Sequence, residues 1–235
     1  MWRILNEAVW LWGNRLPLFT AIILTVWLPG NLLINWLAFY VLSEDDWAKQ
    51  IRLTVWIEGI FGPIYLGALV YAVACHKLGQ AVSYPQAMAV GLKNWRRLFG
   101  TRFLAGLLTL LRLILLIVPG IVLLVRYALI DAIVVLEDTT GQSALRRSTE
   151  LTNGRRWQIF GAATVLFIGY VAMSFGIYLP TGVAEQLDTM AYNVIADSVL
   201  DVVFGVIQVA MVLFFWAAKD AQAAGRVEGQ AAAVV

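Results

Sequence analysis

Histidine and cysteine are almost missing from this chain: its 235 residues hold one of each, His76 and Cys75. A single thiol excludes an internal disulfide and leaves the redox compartment open. Metal sites draw three or four ligands from Cys, His and carboxylates. One Cys-His pair without a second cluster does not supply them, so neither a metal nor a cofactor is expected. Charge is scarce as well. Charged residues make up 14% of the chain against 61% hydrophobic, and the mean hydropathy is +0.78. Soluble domains run nearer a quarter charged. The net charge of +2 says little as a sum, and no nucleic-acid partner is expected.

What the chain has instead is long apolar runs, which place it among all-α, polytopic membrane proteins. Six spans are read at about residues 16–42, 53–75, 100–118, 121–136, 159–179 and 195–218. The first exceeds a signal-peptide core and lacks a small-residue cleavage pattern, so it is expected to be retained. Pro29 and Pro63 fall inside the first two spans, where a kink is expected rather than a break. Pro180 closes the fifth. The third and fourth spans form one apolar stretch divided by Pro119-Gly120, a turn signal. Two full crossings turning there, or one re-entrant element, both fit its length. The flanking segments 77–97 and 146–156 are both basic, and basic loops belong on the cytoplasmic side. An even number of crossings is therefore required, which a hairpin supplies. Glu44, Asp45, Asp46, Glu185, Asp188 and Asp197 mark the other loops as external, and Arg3, Arg15, Lys219 and Arg226 keep both termini inside. Residues 1–220 read as one membrane domain and 221–235 as a flexible cytoplasmic tail.

Three polar boxes run into apolar stretches: Gly13–Phe19, Lys93–Phe99 and Gly154–Phe160. Each is preceded by a segment suited to an interfacial amphipathic helix. Trp2, Leu5, Val9 and Trp12 fall at helical spacing in the first. Ser83 can N-cap the second, with Pro85 in its first turn. The third covers about 142–152 and stops at Asn153-Gly154. The unit is thus a surface helix followed by a membrane hairpin. Arg96, Arg97, Arg146, Arg147, Arg155 and Arg156 are candidate contacts for anionic lipid. Positive-inside bias alone would also place them there.

Ionisable residues inside a membrane are costly and face the bundle interior. Counting from the span ends at 1.5 Å per residue puts Glu58, Arg112, Arg126 and Asp201 roughly 6–11 Å below the outer surface. Two acids and two bases at one level, with Gln208 on the same face of span six as Asp201, form a candidate buried cluster of five. Asp197, Asp201, Gly205 and Gln208 share one face of span six, and Glu58, Gly62 and Tyr65 one face of span two. Arg102 and Asp131 form a candidate pair nearer the inner side. The cluster reads either as an ion-pair network ordering the bundle or as a polar pathway. Any specific site is expected there, away from the boxes.

From Pro119 onward the residues become more specific. Pro119-Gly120-Ile121, Arg126-Tyr127, Val134-Val135-Leu136-Glu137, Ser143-Ala144-Leu145-Arg146-Arg147-Ser148, Glu150-Leu151-Thr152 and Gly154-Arg155-Arg156-Trp157 follow in order. This set resembles the membrane domain associated with glycerophosphoryl diester phosphodiesterases, and related bacterial inner-membrane proteins. The resemblance implies a bacterial cytoplasmic membrane location. It does not imply the hydrolase activity, which belongs to a soluble barrel of about 250 residues for which these spans leave no room.

Three functions compete. The first is a non-enzymatic membrane module that binds lipid or a partner membrane protein, with a role in envelope homeostasis. The second is a small transporter or channel using the buried charges and the proline-broken helices. The third is an intramembrane lipid enzyme, for which Ser148, Thr149, Glu150 and His76 would be the polar groups at hand. Oligomeric state is left open.

Overall fold

The computed structural model describes residues 1–42, 47–184 and 188–232. The acidic positions Glu44, Asp45, Asp46 and Glu185 lie outside them. The described residues are mostly helical, with no strand among them. The helices are α1 (Trp2–Asn14), α2 (Leu16–Tyr40), α3 (Trp47–Lys77), α4 (Tyr84–Leu115), α5 (Ile117–Arg126), α6 (Ile130–Leu136), α7 (Gly141–Leu151), α8 (Arg156–Val183) and α9 (Met190–Ala232). Six stretches are long and apolar enough to cross a membrane: Leu16–Tyr40, Ile51–Lys77, Tyr84–Leu115, Ile117–Leu136, Arg156–Val183 and Met190–Gly225. The chain is a multi-pass helical membrane protein.

The prolines act as their chemistry dictates. Pro29 and Pro63 sit inside continuous helices, and α8 runs on three residues past Pro180. Pro63 lacks the N–H that the Gly59 carbonyl would accept, which loosens that turn. The Trp95 indole N–H donates to the neighbouring Ile60 carbonyl. Pro119 has the opposite effect. Its ring would clash with the carbonyl of Leu115 four residues back, and α4 ends at Leu115. Leu116 alone is extended and makes the turn. Pro119 and Gly120 thus belong to the first helical turns of α5 and are not themselves the reversal.

The three boxes are alike in sequence and different in structure. In the first, the helix breaks at Arg15, because Pro17 in the first turn of α2 cannot continue α1. In the third, it breaks over residues 152–155, with Gly154 in the left-handed region at φ +74°. The second contains no breaker, and α4 runs through it for 32 residues. The expected surface helix and third span are therefore one element. Its start matches the sequence reading: Ser83 is the N-cap, and its backbone N–H donates to Gln86 Oε1 at 3.0 Å.

The core lies where α2, α3, α6 and α9 meet, around Ile22, Leu66, Leu69, Ile133, Val209, Phe214 and Phe215. α3 and α4 form the most extensive helix pairing. They approach through glycine: a Cβ on Gly91 would stand 2.2 Å from the Ile64 carbonyl oxygen, and one on Gly67 would stand 3.0 Å from the Gly91 Cα. Small residues let membrane helices touch backbone to backbone.

The expected stripe on α1 divides. Leu5 and Trp12 are buried with Ile4, Ala8 and Leu11, while Trp2, Val9 and Trp10 are exposed. α1 packs on α9, where the Trp12 ring fills the space beside Gly205. Residues 221–232, expected as a loose tail, continue α9 as helix; alanine is the strongest helix former.

The fourth span is discontinuous. α5 ends at Arg126, residues 127–129 form turns, and α6 begins at Ile130. Breaking a helix strands backbone groups that lipid cannot satisfy. Ser148 on α7 meets both sides of the break. Its hydroxyl donates to the Arg126 carbonyl at 2.6 Å and accepts from the Leu129 N–H at 3.4 Å, and the residue is fully buried. Ser148→Ala is expected to cost about 1–3 kcal/mol for the orphaned groups, read as a lowered unfolding midpoint in detergent.

Candidate functional site

Two regions concentrate polar chemistry. One is a cavity of about 300 Å³ between α2, α3, α8 and α9, walled by Glu58, Asp197, Asp201, Asn31, Tyr65 and Tyr170 among others. Asn31 and Asn35, one turn apart on α2, face Asp201 and Asp197, one turn apart on α9. Asn31 Nδ2 donates to Asp201 Oδ2 at 2.8 Å, and Asn35 Nδ2 donates to Asp197 Oδ2 at 2.9 Å. The Tyr178 hydroxyl donates to the other oxygen of Asp197. An antiparallel amide–carboxylate ladder therefore joins α2 to α9. A spacing of four on each helix is the sequence signal for this ladder, and it emerges only when the two amides of α2 are matched to the two carboxylates of α9.

The structure brings Glu58 and Asp201 to this cavity and leaves the other three members of the expected cluster elsewhere. Arg112 is exposed near the end of α4, and Arg126 is half-buried at the end of α5. Neither forms an ion pair among the described residues. The depth count assumed that the α4–α5 turn lies opposite the boxes. Instead Val118 and Val122, just past the turn, share a groove with Trp157 and Phe160 at the start of α8. The far end of α8 lies 23 residues beyond Phe160, about 35 Å along a helix. Gln208 also faces another way. It lines a second cavity, of about 570 Å³, with Arg102 and Asp131. These two meet at 2.8 Å between Arg102 Nη1 and Asp131 Oδ2.

The other region is the basic one. Arg147 reaches Glu137 with Nε at 2.8 Å and Nη2 at 3.2 Å, and its Nη1 donates to Gln222 at 3.1 Å. Lys219 lies 3.6 Å from the same carboxylate. This clamp fixes α7 to α9. The Arg147 hydrogen bonds hold the Glu137 carboxyl below its usual range and raise the Arg147 guanidinium. A depressed carboxyl stabilises the fold fully above its ordinary titration range, and that stabilisation disappears as pH falls through the lower folded value. Unfolding midpoints measured from pH 7 down to pH 3 are therefore expected to fall less steeply in Glu137→Gln than in the natural chain.

Arg97 pairs with Asp138, and Arg146 with Glu150 at 3.2 Å one helical turn away. Arg96, Arg155 and Arg156 have no acidic partner among the described residues. The six candidate lipid contacts thus divide equally into paired and unpaired side chains. Of the polar groups of the enzyme reading, Ser148 bonds across the α5–α6 break, and the His76 ring lies 6.1 Å from that of Trp10. No group of three or more His, Cys, Asp or Glu that could hold a metal occurs among the described residues.

No curated protein and no solved structure matches the chain. Residues 60–223 match the model of the family described as "Domain of unknown function (DUF7847)". That segment runs from the middle of α3 into α9 and takes in the α4–α5 hairpin, the Ser148 lock, the Glu137 clamp and the Arg102–Asp131 pair. With most of its length inside the match, the chain belongs to the DUF7847 family.

Proposed function

We propose that this protein is a non-enzymatic integral membrane module that binds anionic lipid at its basic end. The observation that carries this reading is the division among the arginines. Arg97, Arg146 and Arg147 are neutralised within the chain, while Arg96, Arg155 and Arg156 lack acidic partners among the described residues. Topology alone requires only that positive charge be present; leaving it unpaired next to a lipid-facing surface favours a headgroup phosphate as its partner. In this reading the protein sits in the bacterial cytoplasmic membrane with both termini inside. The exposed Trp2 and Trp10 of α1 then lie at headgroup depth, and the likeness to a phosphodiesterase membrane domain agrees with a lipid-associated role in envelope homeostasis. Arg96→Gln, Arg155→Gln and Arg156→Gln together are expected to abolish the preference of the purified protein for phosphatidylglycerol over phosphatidylcholine, read by native mass spectrometry of retained lipid. An unchanged preference would refute the reading.

A second reading, a small transporter or channel, is favoured by the acidic cavity. Glu58, Asp197 and Asp201 line it, with no basic side chain among the described residues of its walls. Cation flux into liposomes separates the two readings.

A further inference from the structure

The groove between α5 and α8 has the form of a lipid site. It encloses about 280 Å³. Val118, Val122 and Val125 recur at spacings of four and three on one side, and Trp157 and Phe160 stand on the other. Arg156 lines the groove, and Arg126 directly follows Val125. The Nε atoms of both arginines are buried without a hydrogen-bond partner. An unpaired guanidinium N–H in such a place is costly, so Arg156 in the groove wall, with Arg126 next in sequence to the wall residue Val125, calls for an acceptor from outside the chain. The first turn of α8 opens at the same point and has no side-chain cap, leaving N–H groups that favour an anion. No acidic side chain among the described residues lines the groove. Trp157, 84% exposed, keeps it open to the surroundings.

We infer that a phosphate-bearing membrane lipid occupies this groove, its phosphate between Arg126 and Arg156 and one acyl chain along the α5 valines. The inference rests on the anionic-lipid reading above and narrows it to one site. A free phosphate ion would meet the arginines but leave the valine face empty, so the occupant is the lipid. The site also accounts for the position of the α4–α5 turn: it carries one wall of the groove to the start of α8.

Native mass spectrometry of the full chain with phosphatidylglycerol tests this. Arg126→Gln with Arg156→Gln is expected to weaken retention about tenfold or more, the loss of charge-assisted hydrogen bonds of roughly 1.5–3 kcal/mol. Val122→Trp fills the groove and keeps both charges, and it is expected to weaken retention similarly. Arg146→Gln, at an exposed paired site, is expected to change nothing, and millimolar inorganic phosphate is expected not to displace the lipid. Circular dichroism identifies variants that fail to fold, and Arg156→Gln alone then replaces the double variant. Wild-type retention in either Arg126→Gln/Arg156→Gln or Val122→Trp overturns the groove. If retention is lost only on Arg96→Gln, the groove is wrong while the broader lipid reading stands. If the natural chain shows no preference for phosphatidylglycerol, both fail.

Discussion

Replacing Gly91 by alanine is expected to destabilise the protein by on the order of 3 kcal/mol, whereas Gly100→Ala, nine residues along the same helix, is expected to be neutral or slightly stabilising. The chemical change is the same. What differs is the neighbour. At Gly91 the new methyl would meet the Ile64 carbonyl oxygen at 2.2 Å and the Ala68 nitrogen at 3.1 Å. Both are backbone atoms of α3 and cannot rotate away as a side-chain tip can. The helices must separate, and the contacts around Gly67 and Leu98 loosen with them. At Gly100 no atom lies within 4 Å of the added carbon, and alanine favours helix by about 0.8–1 kcal/mol. Unfolding midpoints of the two variants in one detergent give the comparison. Equal midpoints would mean that α3 and α4 do not touch through Gly91.

Removing Asn31 and Asn35 together, each to leucine, is expected to cost about 3–5 kcal/mol, because Asp201 stays inside the bundle without its Asn31 donor and Asp197 keeps only the Tyr178 hydroxyl. Removing all four ladder residues, with Asp197→Leu and Asp201→Leu added, is expected to restore most of that loss, since well-packed apolar residues often replace a buried polar set without penalty. The expected order is therefore non-additive, with the quadruple variant more stable than the double. The same pair of variants bears on function. If the acidic cavity conducts cations, the quadruple variant folds and loses flux. If the ladder only joins α2 to α9, it folds and there is no flux to lose. A quadruple variant less stable than the double would show that the ladder is not a closed set.

Much of the fold was legible in the sequence because its signals are local. Apolar length placed the six helices, Ser83 and Pro85 marked the start of α4, and Asn153-Gly154 marked the end of α7. The errors arose where a local signal was read without its partner. Pro119-Gly120 was read as the turn, but a proline acts four residues upstream, on Leu115. The second box looked like a boundary because its homologues in sequence precede spans, yet Lys93–Phe99 contains no residue that stops a helix. Depth counting put Arg112 and Arg126 beside Glu58 and Asp201 because it fixed the hairpin turn opposite the boxes. Only the groove that Val118 and Val122 share with Trp157 and Phe160 shows otherwise. Ser148 illustrates the general limit. Nothing in the α7 sequence says that its hydroxyl completes a broken helix, because the break lies 20 residues earlier. The Arg102–Asp131 contact could be reached from similar depths on antiparallel neighbours, whereas the Asn ladder required matching residues 162 and 170 positions apart.

The lipid that the basic end selects is the most direct readout of its unpaired arginines. Natural protein reconstituted in bilayers of equal phosphatidylglycerol and phosphatidylcholine, then released and examined by native mass spectrometry, reports that selection in one ratio. Enrichment of phosphatidylglycerol by about tenfold, the size of a single charge-assisted contact, is the expected result. A ratio of one would contradict the account and would leave the unpaired arginines as determinants of topology alone.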